Sequence, residues 1–287
     1  MLKEVYSVLK PRLTNALIIK RSIYEFPRST FPKVYHKPPP NLSFREKVRL
    51  AVREFKGEFK VLYKELRDSY HFWHTEHIVP YEDDIVWKFD GTEKSLDQWI
   101  VNCDRDYAIG YSIAKLDLSS SGTGIFHGVL DTRLPKDGKT ERSGYCNITT
   151  IRKLKSFKRE DTYDWTKYNE LVLRIRGDGR CYLLNILQRG YWDITWYDAF
   201  NYVLYTRGGP YWQVVRIPFA KFLHSSKGQV HENQFSMPEN RVTNFGITIA
   251  DKKPGPFRLE IDYIAVCYNP EIFETFAYEQ YDVPGRN

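Results

Sequence analysis

The chain has 287 residues, 42% hydrophobic and 28% charged, with a net charge of +7. Its apolar runs are too short for a membrane-spanning helix, and its composition is that of a globular protein, not a disordered or fibrous one. Residues 1–40 carry eight Lys/Arg and two acids, leaving 35 basic and 34 acidic side chains beyond them, so the body is nearly neutral and nucleic acid is not the expected partner.

Leu2, Val5 and Leu9 share one helical face ahead of Pro11, and Ser22, Ser29 and Thr30 follow. Ala16–Ile19 is cut off by Lys20 and Arg21, too short for the core of a secretory signal. Residues 1–40, basic and closed by Pro27, Pro32 and Pro38–Pro40, are therefore expected to be a mitochondrial presequence and linker, with an ordinary basic tail as the competing reading. Cys103, Cys146, Cys181 and Cys267 are spread widely, which suits a reducing compartment and neither a disulfide scaffold nor a zinc ribbon.

Residues 41–80 are expected to hold an amphipathic helix and a connector. Ser43-x-x-Glu46 predicts the capping box that opens the helix over 44–68. Val48, Val52, Phe55, Phe59, Leu62 and Leu66 recur at alternating spacings of four and three. Such a stripe packs either on the rest of the chain or on a partner, and periodicity does not separate the two. His71, His74, Glu76 and His77 follow, but their spacing matches no zinc motif, and no metal or cofactor is expected.

From residue 81 to 270 the texture is that of strands, near 85–90, 99–104, 110–118, 123–131, 145–153, 170–177, 180–188, 201–206, 212–219, 242–250 and 257–268. These predict an all-β fold, a jelly-roll β-sandwich behind one long amphipathic helix, with a C-terminal tail over 271–287. Gly177-Asp178-Gly179 predicts a hairpin turn between two strands, its glycines supplying the positive-φ positions.

Two stretches bear on function. Glu260 and Asp262 alternate onto one strand face, about 6–7 Å apart along the strand. They resemble the nucleophile strand of jelly-roll retaining glycosidases, but Ile264 and Ala265 stand where the acid/base Glu should be, so outward-facing polar residues are expected instead. Residues 191–212 contain nine aromatics, and Trp192, Trp196, Tyr197 and Trp212 are the candidates for a contact surface, together with Arg176, Asp178 and Arg180. Stacking rings on a jelly roll also suit a carbohydrate-binding module, the alternative reading.

Asn169-Glu170-Leu171-Val172-Leu173-Arg174-Ile175-Arg176-Gly177-Asp178-Gly179-Arg180 resembles the signature segment of the complex I intermediate-associated proteins. The likeness continues through Trp212–Phe219 and Phe257–Ile264, and covers roughly 85–268. The resemblance implies a galactose-binding-like jelly roll in a non-enzymatic assembly factor for mitochondrial respiratory complex I. It implies a matrix address with peripheral inner-membrane association through partners. Those partners would be complex I subunits and intermediates, an acyl-dehydrogenase-like assembly protein, an adaptor protein and membrane-embedded factors. The family contributes no catalytic residues.

Overall fold

The computed structural model describes residues 43–71, 78–136, 138, 140, 142–189, 198–226 and 229–278. The presequence and linker expected over 1–40 lie outside them, as do His74, Glu76 and His77.

Helix α1 (Phe44–His71) opens as its sequence predicts: the Ser43 N–H donates to Glu46 Oε2 at 2.9 Å and the Glu46 N–H to Ser43 Oγ at 3.4 Å. The chain divides into compact units after Glu54. In the first, Val48 and Val52 are exposed. In the second, Phe55 and Phe59 meet the Phe157 ring edge-on at 5.8 and 5.4 Å. Glu65 accepts from the Ser156 N–H and hydroxyl and from Arg159 at 2.7 Å, while Glu58 accepts from the Phe157 N–H at 2.6 Å. The hydrogen bond from the Ser156 N–H is the main reason the Glu65 carboxyl sits below its ordinary range. From Phe55 on, the helix is thus tied down by its carboxylates, while Phe55, Phe59 and Leu66 of the stripe stay about half exposed.

The strands are β1 (Asp83–Lys88), β2 (Trp99–Cys103), β3 (Ile113–Leu118), β4 (Gly124–Leu130), β5 (Cys146–Thr150), β6 (Leu154–Lys155), β7 (Arg159–Glu160), β8 (Glu170–Arg176), β9 (Cys181–Gln188), β10 (Asp198–Tyr205), β11 (Gln213–Pro218), β12 (Leu223–Ser226), β13 (Gln229–Val230), β14 (Val242–Ile249) and β15 (Gly255–Cys267). A short helix, α2 (Glu93–Leu96), separates β1 from β2. One sheet runs β11-β8-β15-β4-β3, with β1 also on β15; the other runs β13-β12-β10-β9-β14-β5-β2. Every pair in both is antiparallel, and the two sheets form a jelly-roll β-sandwich.

Strand alternation fills the space between the sheets. Leu171, Leu173 and Ile175 of β8, Phe257, Leu259 and Ile261 of β15, Tyr182, Leu184 and Ile186 of β9, and Phe245, Ile247 and Ile249 of β14 are all buried in one cluster. Each such side chain contributes about 1.5–3 kcal/mol through burial. Trp87 stacks on Phe245 and meets Trp99 and Trp165 edge-on, closing one end.

All eleven expected strands are present, but the expected β8–β9 hairpin is not. β8 belongs to one sheet and β9 to the other, so Gly177–Arg180 is a corner that carries the chain across the core. Both strands have the alternation a hairpin needs, and sequence periodicity alone does not tell pairing side by side from pairing face to face. The glycine roles also differ from expectation. Gly179 has φ +88°, whereas Gly177 has ordinary φ and is required for closeness, because a Cβ there would lie 2.2 Å from Thr206 Cβ.

Candidate functional site

The outward face of the six-stranded sheet is built from alternate residues of β8, β11 and β15. With Leu171, Leu173 and Ile175 inward, Val172, Arg174 and Arg176 must point out. β15 presents Glu260 opposite Arg176; a bulge between Ile261 and Tyr263 then shifts its register, so that Ile264 and Val266 turn inward while Tyr263 and Ala265 face out. The bulge places Asp262 beside Arg174.

Two ion pairs result. The Arg176 guanidinium holds Glu260 through Nε at 3.0 Å and through Nη2, and Arg174 holds Asp262 through Nη1. Thr123 donates its hydroxyl to Glu260 Oε1 at 2.5 Å, and Arg258 lies 3.9 Å from Oε2. Glu260 is 1% exposed. Burial would push its carboxyl up, but hydrogen bonds from Thr123 and Arg176, with the charges of Arg176 and Arg258, hold it below the ordinary range. Glu260 and Asp262 do share a face, but Glu260 is not the open polar residue that alternation predicts. Thr123 and the arginines cover it.

Trp212 lies over both arginines, its ring 5.1 Å from Arg174 Cζ and 5.2 Å from Arg176 Cζ. Tyr211 and Val214 beside it are exposed. Along the same face, Arg216 bonds Asp83 at 2.7 Å and approaches Glu170 at 3.6 Å, sheltering a buried patch of Val172, Ala265 and Cys267. The Trp ring is thus set on two guanidiniums whose charges are already matched by Asp262 and Glu260. Trp and Arg are the residue types that dominate protein interfaces.

The remaining candidates are placed differently. Asp178 and Arg180 sit at the corner and tie it together. Asp178 accepts from the Arg180 N–H at 3.0 Å, the Tyr182 hydroxyl at 3.2 Å and the Arg258 N–H at 2.8 Å. Arg180, with 12% of its side chain exposed, grips Asp251 and three carbonyls, those of Lys253, Gly255 and Pro256. Trp192, Trp196 and Tyr197 lie outside the described residues. Of the seven candidates, Arg176 and Trp212 come together, and Arg174, which is not among the seven, lies under the same ring. No group of three His, Cys, Asp or Glu that could hold a metal occurs among the described residues. At position 264 the side chain faces the core, and no helix among the described residues is long and apolar enough to cross a membrane.

A family model for complex I intermediate-associated protein 30 matches residues 87–261. The chain is 46% identical over 252 residues to the Drosophila melanogaster mitochondrial complex I intermediate-associated protein 30, covering 87% of this chain and 85% of the relative. It is 33% identical over 289 residues to the probable counterpart in Caenorhabditis elegans, covering 94% and 84%, and 38% identical over 205 residues to that of Mus musculus, covering 71% and 62%. Among solved structures, the family 11 carbohydrate-binding module of a Clostridium thermocellum cellulosomal cellulase overlaps 68% of this chain and 98% of its own at 12% identity, with a TM-score of 0.46. The matched span of the model begins in β1, takes in the Arg176–Glu260 pair and the Trp212 platform, and ends in β15; with relatives at this identity over this length, the chain belongs to the complex I intermediate-associated protein 30 family.

Proposed function

We propose that the chain is a non-enzymatic assembly factor for mitochondrial respiratory complex I, holding membrane-arm intermediates through protein–protein contacts. It works on the matrix side of the inner membrane, held there by complex I subunits and by other assembly factors, among them an acyl-dehydrogenase-like protein, an adaptor and membrane-embedded factors. The observation that carries this reading is the family match across the sandwich, because the relatives are named for complex I intermediates.

The mechanism follows from the outward face of β8, β11 and β15. Capture by a pre-ordered surface loses little side-chain entropy, since Arg174 and Arg176 are already fixed by Asp262, Glu260 and the Trp212 ring. Paired charges also limit the desolvation cost when the face is covered. Trp212 is then the anchor, flanked by Tyr211 and Val214.

The test is removal of the chain from the cells that make it, followed by measurement of assembled complex I. Loss of the complex, restored by the wild-type chain and poorly by Trp212→Ala, is the expected result. Normal complex I levels without the chain would overturn the reading. Binding of a neutral oligosaccharide in micromolar range would move the carbohydrate-binding alternative ahead of it.

A further inference from the structure

The two sheets turn opposite kinds of surface outward. The face carrying Trp212 also carries Arg174, Arg176, Arg216, Glu260 and Asp262. The seven-stranded sheet carries no charge in the two central rows of its outward face. With Tyr182, Leu184, Ile186, Phe245, Ile247, Ile148 and Phe200 inward, the outward positions in register across it are Asn102, Asn147, Thr248, Leu183 and Val203 in one row, and Ile100, Thr149, Gly246, Asn185 and Asn201 in the next. In a chain with 28% charged residues this exclusion is a chemical property of the face.

Its polar groups form a connected band. Asn185 Nδ2 donates to Thr248 Oγ1 at 2.8 Å, Thr248 to Asn147 Oδ1 at 3.0 Å, and Asn147 Nδ2 to Thr149 Oγ1 at 2.7 Å. Beside this chain, Asn201 Nδ2 donates separately to Ser225 Oγ at 2.5 Å, and Asn201 Oδ1 is buried without a hydrogen-bond partner. Gly246 lies in the middle, where a Cβ would come within 3.1 Å of Thr149 Oγ1 and 3.4 Å of Asn147 Oδ1. No side chain rises from Gly246, so the band is lowest there.

We infer that this band is a second docking face, and that it receives an extended, uncharged polypeptide segment of a partner protein, lying over Gly246. The inference rests on the assembly-factor reading and adds a recognition surface on the other side of the sandwich. Side-chain amides match peptide groups in donors and acceptors, so Asn102, Asn147, Asn185 and Asn201 can read a backbone. A charged residue buried against them would find no counter-charge and would be rejected by its desolvation cost. Leu183 and Val203 supply aliphatic contacts in the same row as Asn102 and Asn147. A sugar would want an aromatic platform, and among the described outward residues of this sheet the one aromatic is Tyr205, exposed at the end of β10.

The test compares opposite charges at one position. Tagged chains carrying Asn185→Lys, Asn185→Asp or Asn185→Gln are expressed in place of the wild type, and co-purified complex I subunits are quantified. Both charged variants should lose them about tenfold or more, whichever the sign, and the Gln variant should lose far less. Val203→Lys and Val203→Asp repeat the comparison at an exposed position. Retention by both charged variants, or a gain with one sign, would overturn the inference while leaving the assembly role standing. If the wild type itself recovers no complex I subunit, both fall. Cellotetraose shifting the Asn185 side-chain amide signals of the isolated protein would also overturn it, since the face would then be a sugar site.

Discussion

Arg180 and Asp251 meet as a two-pronged pair, Nε to Oδ2 at 2.9 Å and Nη2 to Oδ1 at 2.6 Å, across the corner where the chain leaves one sheet for the other. With 12% and 7% of their side chains exposed, they form a nearly buried ion pair. Burial alone would push Asp251 up; hydrogen bonds from Arg180 and the Lys253 N–H hold it below the ordinary carboxylate range. Removing one partner of such a pair costs about 3–5 kcal/mol. Arg180→Ala should therefore lower unfolding free energy by that amount, and Arg180→Lys should recover little, because an ammonium lacks the fork. Denaturant titration checks this, and a loss under about 1 kcal/mol would contradict the role given to the corner.

Gly177 and Gly179 separate two reasons for a glycine. Gly177→Ala puts a methyl 2.2 Å from Thr206 Cβ, which the backbone must move to admit. Overpacking of that kind costs about 1–3 kcal/mol. Gly179→Ala meets only Gly208 backbone atoms at 3.6 and 3.7 Å and suffers from its positive φ, about 1 kcal/mol. Thermal melting should rank Gly177→Ala as the less stable; the reverse order would mean that the corner is held by φ alone.

The strands were legible because alternation and Gly/Pro/Asp punctuation are local. Strands β6, β7, β12 and β13 lie outside the expected set: β6, β7 and β13 have two residues each, and Leu223-His224-Ser225-Ser226 of β12 has no apolar alternation, His224 being buried against Phe200 and Phe235 by tertiary packing. Alternation on both sides of Gly177 predicts a hairpin that the fold does not form, because partner choice is a long-range matter. Of the candidate surface, residue type points to Arg176 and Trp212, which the fold sets side by side. The Arg176–Glu260 pair depends on a strand pairing 84 residues apart, and the Arg174–Asp262 pair on a bulge that no periodicity announces.

Trp212→Ala should leave the fold intact, since the ring stacks on Arg174 and Arg176 outside the core. On the proposed contact face, loss of such a ring should cost about 2 kcal/mol or more, a loss of affinity on the order of thirtyfold. Trp212→Phe keeps a ring over the guanidiniums and should lose less. Equal capture of complex I subunits by folded Trp212→Ala and wild-type chains would exclude this ring as the anchor.

Two carboxyls give opposite pH signatures. Burial, with the Asp164 charge, pushes Glu239 up to about 7, so its folded form keeps a proton that the unfolded chain releases near pH 4–5. Its contribution is full below that range and is lost as pH rises through about 7. Glu239→Gln should raise stability at pH 8 by about 1 kcal/mol, and not at pH 4. Glu260 is held low by Thr123 and Arg176 against its burial, so its contribution is present above pH 4–5 and lost as pH falls further. Glu260→Gln should flatten the acid side of the stability profile. A Glu239→Gln gain confined to acid pH would contradict a raised Glu239 carboxyl.

Cys103 and Cys146 lie directly opposite each other on β2 and β5, both buried, and burial pushes the Cys146 thiol up to about 12. In the native protein at pH 8, a thiol alkylating agent should label half-buried Cys181 well before Cys103, Cys146 and Cys267. Mass spectrometry of the labelled peptides reads the order, and early labelling of Cys146 would contradict the packing of that sheet.

The assembly role is tested most directly by native-gel separation of mitochondria expressing a tagged chain, with mass spectrometry of each band. The chain should migrate with subcomplexes of complex I and be absent from the pool of finished enzyme. A chain that runs alone, or that is not found in mitochondria, would contradict that role.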